Sequence, residues 1–257
     1  MSRRLPAAFA LAAIAAIAIT ACSGSTAPAL SSPDDIITAA LKSTEGAKSF
    51  HADATVDGNL SGDLMGSGTT QSFNLAGTTA SADVDLVNKA VHASFAVPAL
   101  LGLSGDLIVV DQKAYVKTSL TGPMYTVSDV KETAGVDPTD TGKTIDNVGD
   151  LLTQPGIEPV KGDDVACGSK QCYTVNVDLS ADELTKIAGA QASSLPVKTD
   201  GSLKLQIRVE KDTNHLAGIT AEVASATQGN LKLDIVISKW DEPVTIAAPP
   251  ADQVKAS

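Results

Sequence analysis

Aromatic side chains are scarce in this chain, at 3% of 257 residues with a single Trp, and there are only three His and three Cys. Val, Leu, Ile and Ala supply most of the apolar content, so the interior is aliphatic. Such an interior can pack conventionally or line a smooth cavity for hydrocarbon, and composition alone does not choose. Positive charge is also short: 19 Lys and Arg stand against 30 Asp and Glu, a formal net charge of −11. That balance argues against nucleic acid as a partner, because phosphate binding rests on clusters of Lys and Arg.

Chemistry-bearing patterns are equally sparse. His51, His92 and His215 each fall at a polar position of an alternating segment or near a turn. None has the spaced His, Cys or Glu partners of a zinc site, so they read as surface histidines and no metal is expected. Asp137 to Thr144 reads DPTDTGKT and ends like a phosphate-binding loop. Asp137 stands where that loop needs glycine, and its carboxylate would repel phosphate, so the segment reads as a solvated loop. No G-x-S-x-G elbow occurs, and no serine pairs with a histidine by local pattern. Acidic residues on the alternating segments, such as Asp83 and Asp85, occupy the wet phase. No catalytic residue and no cofactor is expected.

No apolar run is long enough to stay in a bilayer. The longest, Leu5 to Ile19, is about 15 residues, against the roughly 20 that a spanning helix requires. It follows Arg3 and Arg4 and ends at Thr20-Ala21-Cys22, the arrangement of a secretory signal with a small-residue cleavage site. Removal of residues 1–21 leaves 236 residues and, with the two arginines gone, a formal charge of −13. Residues 22–33 are rich in Ser, Ala and Pro and suit a flexible tether. Residues 34–250 are expected to form a single domain, since no interior linker stands out, with 251–257 as a tail.

What is plentiful is period-two alternation, which puts every second side chain on one face of a strand. It runs through Ala82, Val84, Leu86; Val91, Ala93, Phe95, Val97; Tyr173, Val175, Val177, Leu179; Leu203, Leu205, Ile207, Val209; Ala217, Ile219, Ala221, Val223; and Leu231, Leu233, Ile235, Ile237. Short breaks at Asn88-Lys89, Asp111 to Lys113, Gly162 to Asp164, Asp212 to Asn214 and Gln228 to Asn230 imply antiparallel hairpins. The expectation is a meandering sheet of about ten strands. Three helices interrupt it: one after Ser32-Pro33 that stops at Gly46, one over about 146–153, and one opened by the capping box Ser180 to Glu183. A sheet with one apolar face must cover it. The helices either seal that face or leave a pocket.

Cys167 and Cys172 flank Gly-Ser-Lys-Gln in what reads as a hairpin tip. Export to an oxidising side allows a disulfide there, which would leave Cys22 as the odd cysteine.

Ile19-Thr20-Ala21-Cys22 resembles the bacterial lipobox, in which cleavage precedes a cysteine that carries lipid. Two or three acyl chains there would anchor the chain to the outer face of the cell membrane without spanning it. The helix followed by AKSFHADATVDG, the hairpin GDLIVVDQKAYVKTSL, the segment IDNVGDLLTQPGIEPVKGDDV and the closing LKLDIVISKWDEPVTIAAPP resemble the actinobacterial lipoproteins LppX, LprA, LprF and LprG. The resemblance covers most of the chain beyond the signal, but not the Cys167 and Cys172 pair. It implies an α+β fold, a strongly curved antiparallel half-barrel like the LolA and LolB carriers, with helices on its concave face around an apolar cavity.

It also implies a function: binding acylated lipids or lipoglycans and taking part in their transfer to the outer envelope, with a membrane transporter or an acceptor carrier as a further partner. Candidates for the cavity wall are Val84 and Leu86, Phe95 and Val97, and Leu107 and Val109 on the first half of the sheet. On the second half they are Leu205 and Ile207, Ile219 and Val223, and Leu233 and Ile235. Each could equally be plain core. The alternative for the whole chain is a non-catalytic envelope interaction module with a filled core.

Overall fold

Ser32 caps the first helix as its position predicts: its Oγ accepts from the Asp35 amide at 3.0 Å. Pro33 opens helix α1 (Pro33–Glu45), Asp34 and Asp35 sit at the positive end of its dipole, and Gly46 closes it. Its apolar side carries Ile36, Ile37 and Ala40, all buried. The computed structural model describes residues 29–62, 70–130, 157–188 and 201–255. The helix expected over 146–153, the loop at 137–144, the signal and Cys22 lie outside those residues.

All the described strands belong to one sheet of thirteen, against the ten or so expected. The first half is β1 (Ser49–Gly62), β2 (Gln71–Asn74), β3 (Thr78–Asp85), β4 (Ala90–Val97), β5 (Leu103–Val110), β6 (Lys113–Thr118) and β7 (Thr126–Asp129). The second is β8 (Val160–Lys161), β9 (Val165–Cys167), β10 (Lys170–Leu179), β11 (Gly201–Glu210), β12 (Leu216–Ser225) and β13 (Gly229–Ser238), with helix α2 (Ala181–Ala188) between β10 and β11. The order across the sheet is β7-β6-β5-β4-β3-β1-β13-β12-β11-β10-β8, with β2 beside β1 and β9 beside β10. Every pairing is antiparallel, so two meanders meet where β1 lies against β13.

The predicted turns fall where the alternation breaks. Lys89, Asp111, Gln112 and Asn214 take positive φ values of 52°, 52°, 59° and 59°, which tight reversals require. Gly58 has φ 120° and sits where β1 exchanges β3 for β2; a Cβ there would lie 2.2 Å from the Asn230 carbonyl oxygen. Only glycine permits that approach.

Two expectations are corrected. The strand count was low because β2, β7, β8 and β9 are only two to four residues long. In place of a strongly curled half-barrel the sheet is open, ending at β7 on one side and β8 on the other. Bulges and kinks bend a sheet, and the one register irregularity along these ladders lies at Arg208/Val209. Nor do the described helices line the sheet's whole face: α1 and α2 pack at the β10 and β11 end.

Candidate functional site

The pairing register settles which side chains share a face. Across the middle of the sheet one row reads Ile207, Ile219, Ile235, Ala54, Ala80, Phe95. The next reads Ile237, Ala52, Ala82, Ala93, Leu107, Val116. Leu205, Ala221, Leu233 and Val56 form a third. Val84 and Val109 continue this face through Val91, while Val97 pairs with Leu103 and Val223 with Leu203 and Leu231. Leu86 packs with the same group. All twelve candidate wall residues therefore project to a single side of the sheet.

Among the described residues that side carries a buried cluster at each end and smaller side chains between them. At one end, α1 presses Ile36 and Ile37 onto Tyr173, Val175, Val177 and Val209, with Leu184 of α2 alongside. At the other, Val84, Val91, Val109, Ala114 and Val130 form a second buried cluster. Of the twelve candidates, Val84, Val109 and Ile207 are buried core and the other nine are half-buried. Between the clusters the floor is made of alanines: Ala52 and Ala54 on β1, Ala82 on β3 and Ala93 on β4, all half-buried, with Ala80 exposed. Among the described residues the small side chains on β1, β3 and β4 leave a shallow trough, flanked by Ile235, Leu233 and Ile219 on one side and Phe95 on the other. Gly105 belongs to the same feature. A Cβ there would lie 2.8 Å from Phe95 Cζ, so the missing side chain is what lets the ring lie down on β5.

Alternation identified the large apolar residues, but it missed β1, because alanine between polar residues is a weak signal. The trough depends on β1 lying between β3 and β13, a pairing of segments nearly 180 residues apart that no local pattern shows.

The opposite side is polar and cross-linked. Arg208 Nη2 donates to Asp234 Oδ1 at 2.8 Å and to the Ile235 carbonyl at 3.1 Å, and Thr220 Oγ1 donates to the same carboxylate at 2.5 Å. Lys232 pairs with Glu222 at 2.8 Å and Lys117 with Asp106 at 3.0 Å. The hydrogen bond to Asp106 raises the Lys117 ammonium above the usual lysine range.

His92 is an exposed surface residue as expected, while His51 and His215 are more engaged. His215 stacks on Trp240, and Trp240 Nε1 donates to the Leu216 carbonyl at 3.0 Å. His51 is enclosed, with its side chain 17% exposed, Nδ1 2.6 Å from Asp83 Oδ1 and Nε2 3.2 Å from Asp53 Oδ2. Ser81 Oγ lies 3.4 Å from the same Nε2. The three residue types of a hydrolase triad thus meet, but Asp53 engages the nitrogen that would have to take the serine proton. Among the described residues no group of three His, Cys, Asp or Glu side chains is arranged to hold a metal ion.

Cys167 and Cys172 form a disulfide at the β9–β10 tip, and Cys172 is fully buried.

No protein-family model and no curated protein matches the chain. Solved structures do. LprF from Mycobacterium bovis is 20% identical and superposes with a TM-score of 0.55, over 84% of this chain and 96% of that one. The Mycobacterium tuberculosis lipoprotein LppX is 16% identical with a TM-score of 0.49, over 83% of this chain and 97% of that one. The chain thus shares its fold with LprF, one of the lipoproteins that its hairpins and closing segment resemble.

Proposed function

We propose that this protein is a membrane-anchored lipoprotein that holds the acyl chains of a lipid or lipoglycan against the apolar side of its sheet and takes part in their transfer to the outer envelope. The alanine-floored trough between two filled clusters carries this reading. A buried methylene is worth about 0.8 kcal/mol, so sheltering a sixteen-carbon chain there gains on the order of 12 kcal/mol before ordering costs. The aliphatic, aromatic-poor composition suits a long, featureless ligand. Cys22 supplies the anchor on the outer face of the cell membrane, and a transporter or an acceptor carrier hands over or receives the lipid. The role is non-catalytic, consistent with a His51 whose ring is taken up by two carboxylates.

Native mass spectrometry of residues 23–257, purified from a lipid-rich actinobacterial host, tests the reading. Adducts of lipid mass that vanish on extraction are expected. An apo mass that also takes up no added phospholipid or triacylglycerol would reject it and leave an interaction module with a filled core. Ile219→Glu places a charge in the trough row and is expected to abolish the adducts in a chain that still folds.

A further inference from the structure

The turn between β4 and β5 breaks the rule that loops are polar. From Phe95 to Leu103 the sequence is FAVPALLGL, nine residues without one polar side chain. At its tip Leu101 is 94% exposed and holds φ at 54°, a left-handed conformation that leucine rarely adopts. An apolar side chain is thus kept in water on a strained backbone. The loop between β6 and β7 lies at the same end of the sheet, since the Ser119 amide donates to the Ser104 carbonyl at 2.8 Å. It presents Leu120, 72% exposed. Neither Phe95 to Gly105 nor Thr118 to Tyr125 contains a charged residue.

We infer that this end of the sheet is a docking tip that inserts into a lipid bilayer. Three observations favour lipid over a protein partner. The exposed side chains at its points, Leu101 and Leu120, are aliphatic and neither loop carries a charge, so the tip offers no charged group by which a protein surface would be recognised. Its backbone is largely self-satisfied, as insertion into hydrocarbon demands: the amides of Leu100, Gly102 and Leu103 donate to Val97, Pro98 and Leu100 at 3.1, 3.1 and 2.9 Å, and Pro98 has no amide hydrogen. Thr118 and Thr121 bond each other across the second loop through backbone and hydroxyl groups. Thirdly, the apolar side of the sheet runs without interruption into the tip through Val97 and Leu103, which are partners in the register.

Reach is sufficient. Leu30 donates its amide to the Tyr173 hydroxyl at 3.1 Å, on β10, two residues along the strand from Val175, which shares the row of Phe95. Eight residues from Cys22 to Leu30 extend to about 28 Å, and an eight-residue strand is about 27 Å long. A sheet lying along the membrane that holds Cys22 can therefore touch it with this tip. The passage of an acyl chain from bilayer to trough rests on the proposed lipid binding; docking itself does not.

The test is vesicle flotation of residues 22–257, made without acyl chains, on phosphatidylethanolamine and phosphatidylglycerol vesicles. The chain is expected to float with them, and no less at high salt than at low, because the contact is apolar and the formal charge of −13 that remains without Arg3 and Arg4 opposes anionic lipid. Leu101→Asp with Leu120→Asp should lower vesicle partitioning about 100-fold or more. Val87→Asp, an equally drastic change at the exposed Val87 of the β3–β4 turn at the other end, should leave it unchanged. The double variant should keep its thermal midpoint, since the two leucines are exposed and Asp tolerates positive φ better than Leu. It should also keep the lipid adducts of a preloaded chain, so that failure of docking and failure of acyl-chain binding are read separately. No flotation of the parent chain, or equal flotation of the double variant, would overturn the inference. So would a dimer that these substitutions dissolve in a chain that ignores vesicles, which would assign the tip to a second copy.

Discussion

Single residues decide whether the middle of the sheet is a trough or a packed core. Ala54 and Ala80 face each other across β1 and β3, and Ala52 faces Ala82 one row on. Enlarging a residue in a filled core costs typically 1–3 kcal/mol through strain. In a trough the added ring covers its neighbours instead. Ala54→Phe is therefore expected to change the thermal midpoint little while cutting lipid uptake at least about tenfold, checked by calorimetry beside native mass spectrometry. A large fall in the midpoint would mean that the space is already filled. Gly105 gives the contrasting case. A Cβ would meet the Lys117 carbonyl oxygen at 2.7 Å as well as the Phe95 ring, so Gly105→Ala should destabilise the chain in either event.

At the scale of elements, large alternating side chains were legible and small ones were not. The strands around Val91 to Val97, Tyr173 to Leu179 and Leu231 to Ile237 stand where the alternation put them. The N-cap of α1 was readable because a hydroxyl followed by proline and two acids is local chemistry. Strand β1 hid behind its alanines, and the two-residue β8 is too short for any period to show. The hairpin tips near Tyr173 add electrostatics that sequence gave no way to place. Asp164 accepts from Lys211 and Lys161, and Lys170 donates to Glu210 at 2.5 Å with Asp212 at 3.5 Å.

The Lys211 hydrogen bond lowers the Asp164 carboxyl below the usual carboxylate range, and the Glu210 hydrogen bond raises the Lys170 ammonium above the usual lysine range. A lowered carboxylate contributes stability above its unfolded value, near 3.9, and loses it as pH falls through the folded one. A raised ammonium contributes below its unfolded value, near 10.4, and loses it as pH rises through the folded one. Asp164→Asn should thus flatten the acid limb of the melting profile, and Lys170→Met the alkaline limb. Both effects should be small, since these side chains are 38% and 37% exposed and the pairs are screened. Thermal midpoints measured across pH 2 to 11 would separate the two limbs; coincident profiles would show that neither pair matters.

The described residues form two buried clusters rather than one, on either side of the β1–β13 seam, and the segment after β13 acts on one side of that seam only. After β13 the chain turns back onto the start of β1: the Asp241 amide donates to the Ser49 carbonyl at 3.0 Å, Asp241 Oδ1 accepts from the Lys48 amide at 2.7 Å, and Ser49 Oγ donates to the Glu242 carbonyl at 2.6 Å. It then crosses to Tyr125, which exchanges backbone bonds of 2.8 Å with Gln253 and Lys255. Tyr125 is buried, and Lys117 lies over its ring at 4.6 Å. The segment from 242 to 253 therefore works as a strap from β1 to the start of β7, past five strand spacings, or about 24 Å at the usual interstrand distance. Cutting the strap should loosen the β5–β7 edge and leave the α1 cluster as it was, because Ile36, Val175 and Val209 have no contact with it in their cluster. Truncation after Thr245 is expected to raise amide hydrogen exchange in β5, β6 and β7 while β10 and β11 keep their protection, a local rather than global opening. Uniformly faster exchange would instead make the two clusters one cooperative unit, and the trough between them a rigid floor rather than a seam.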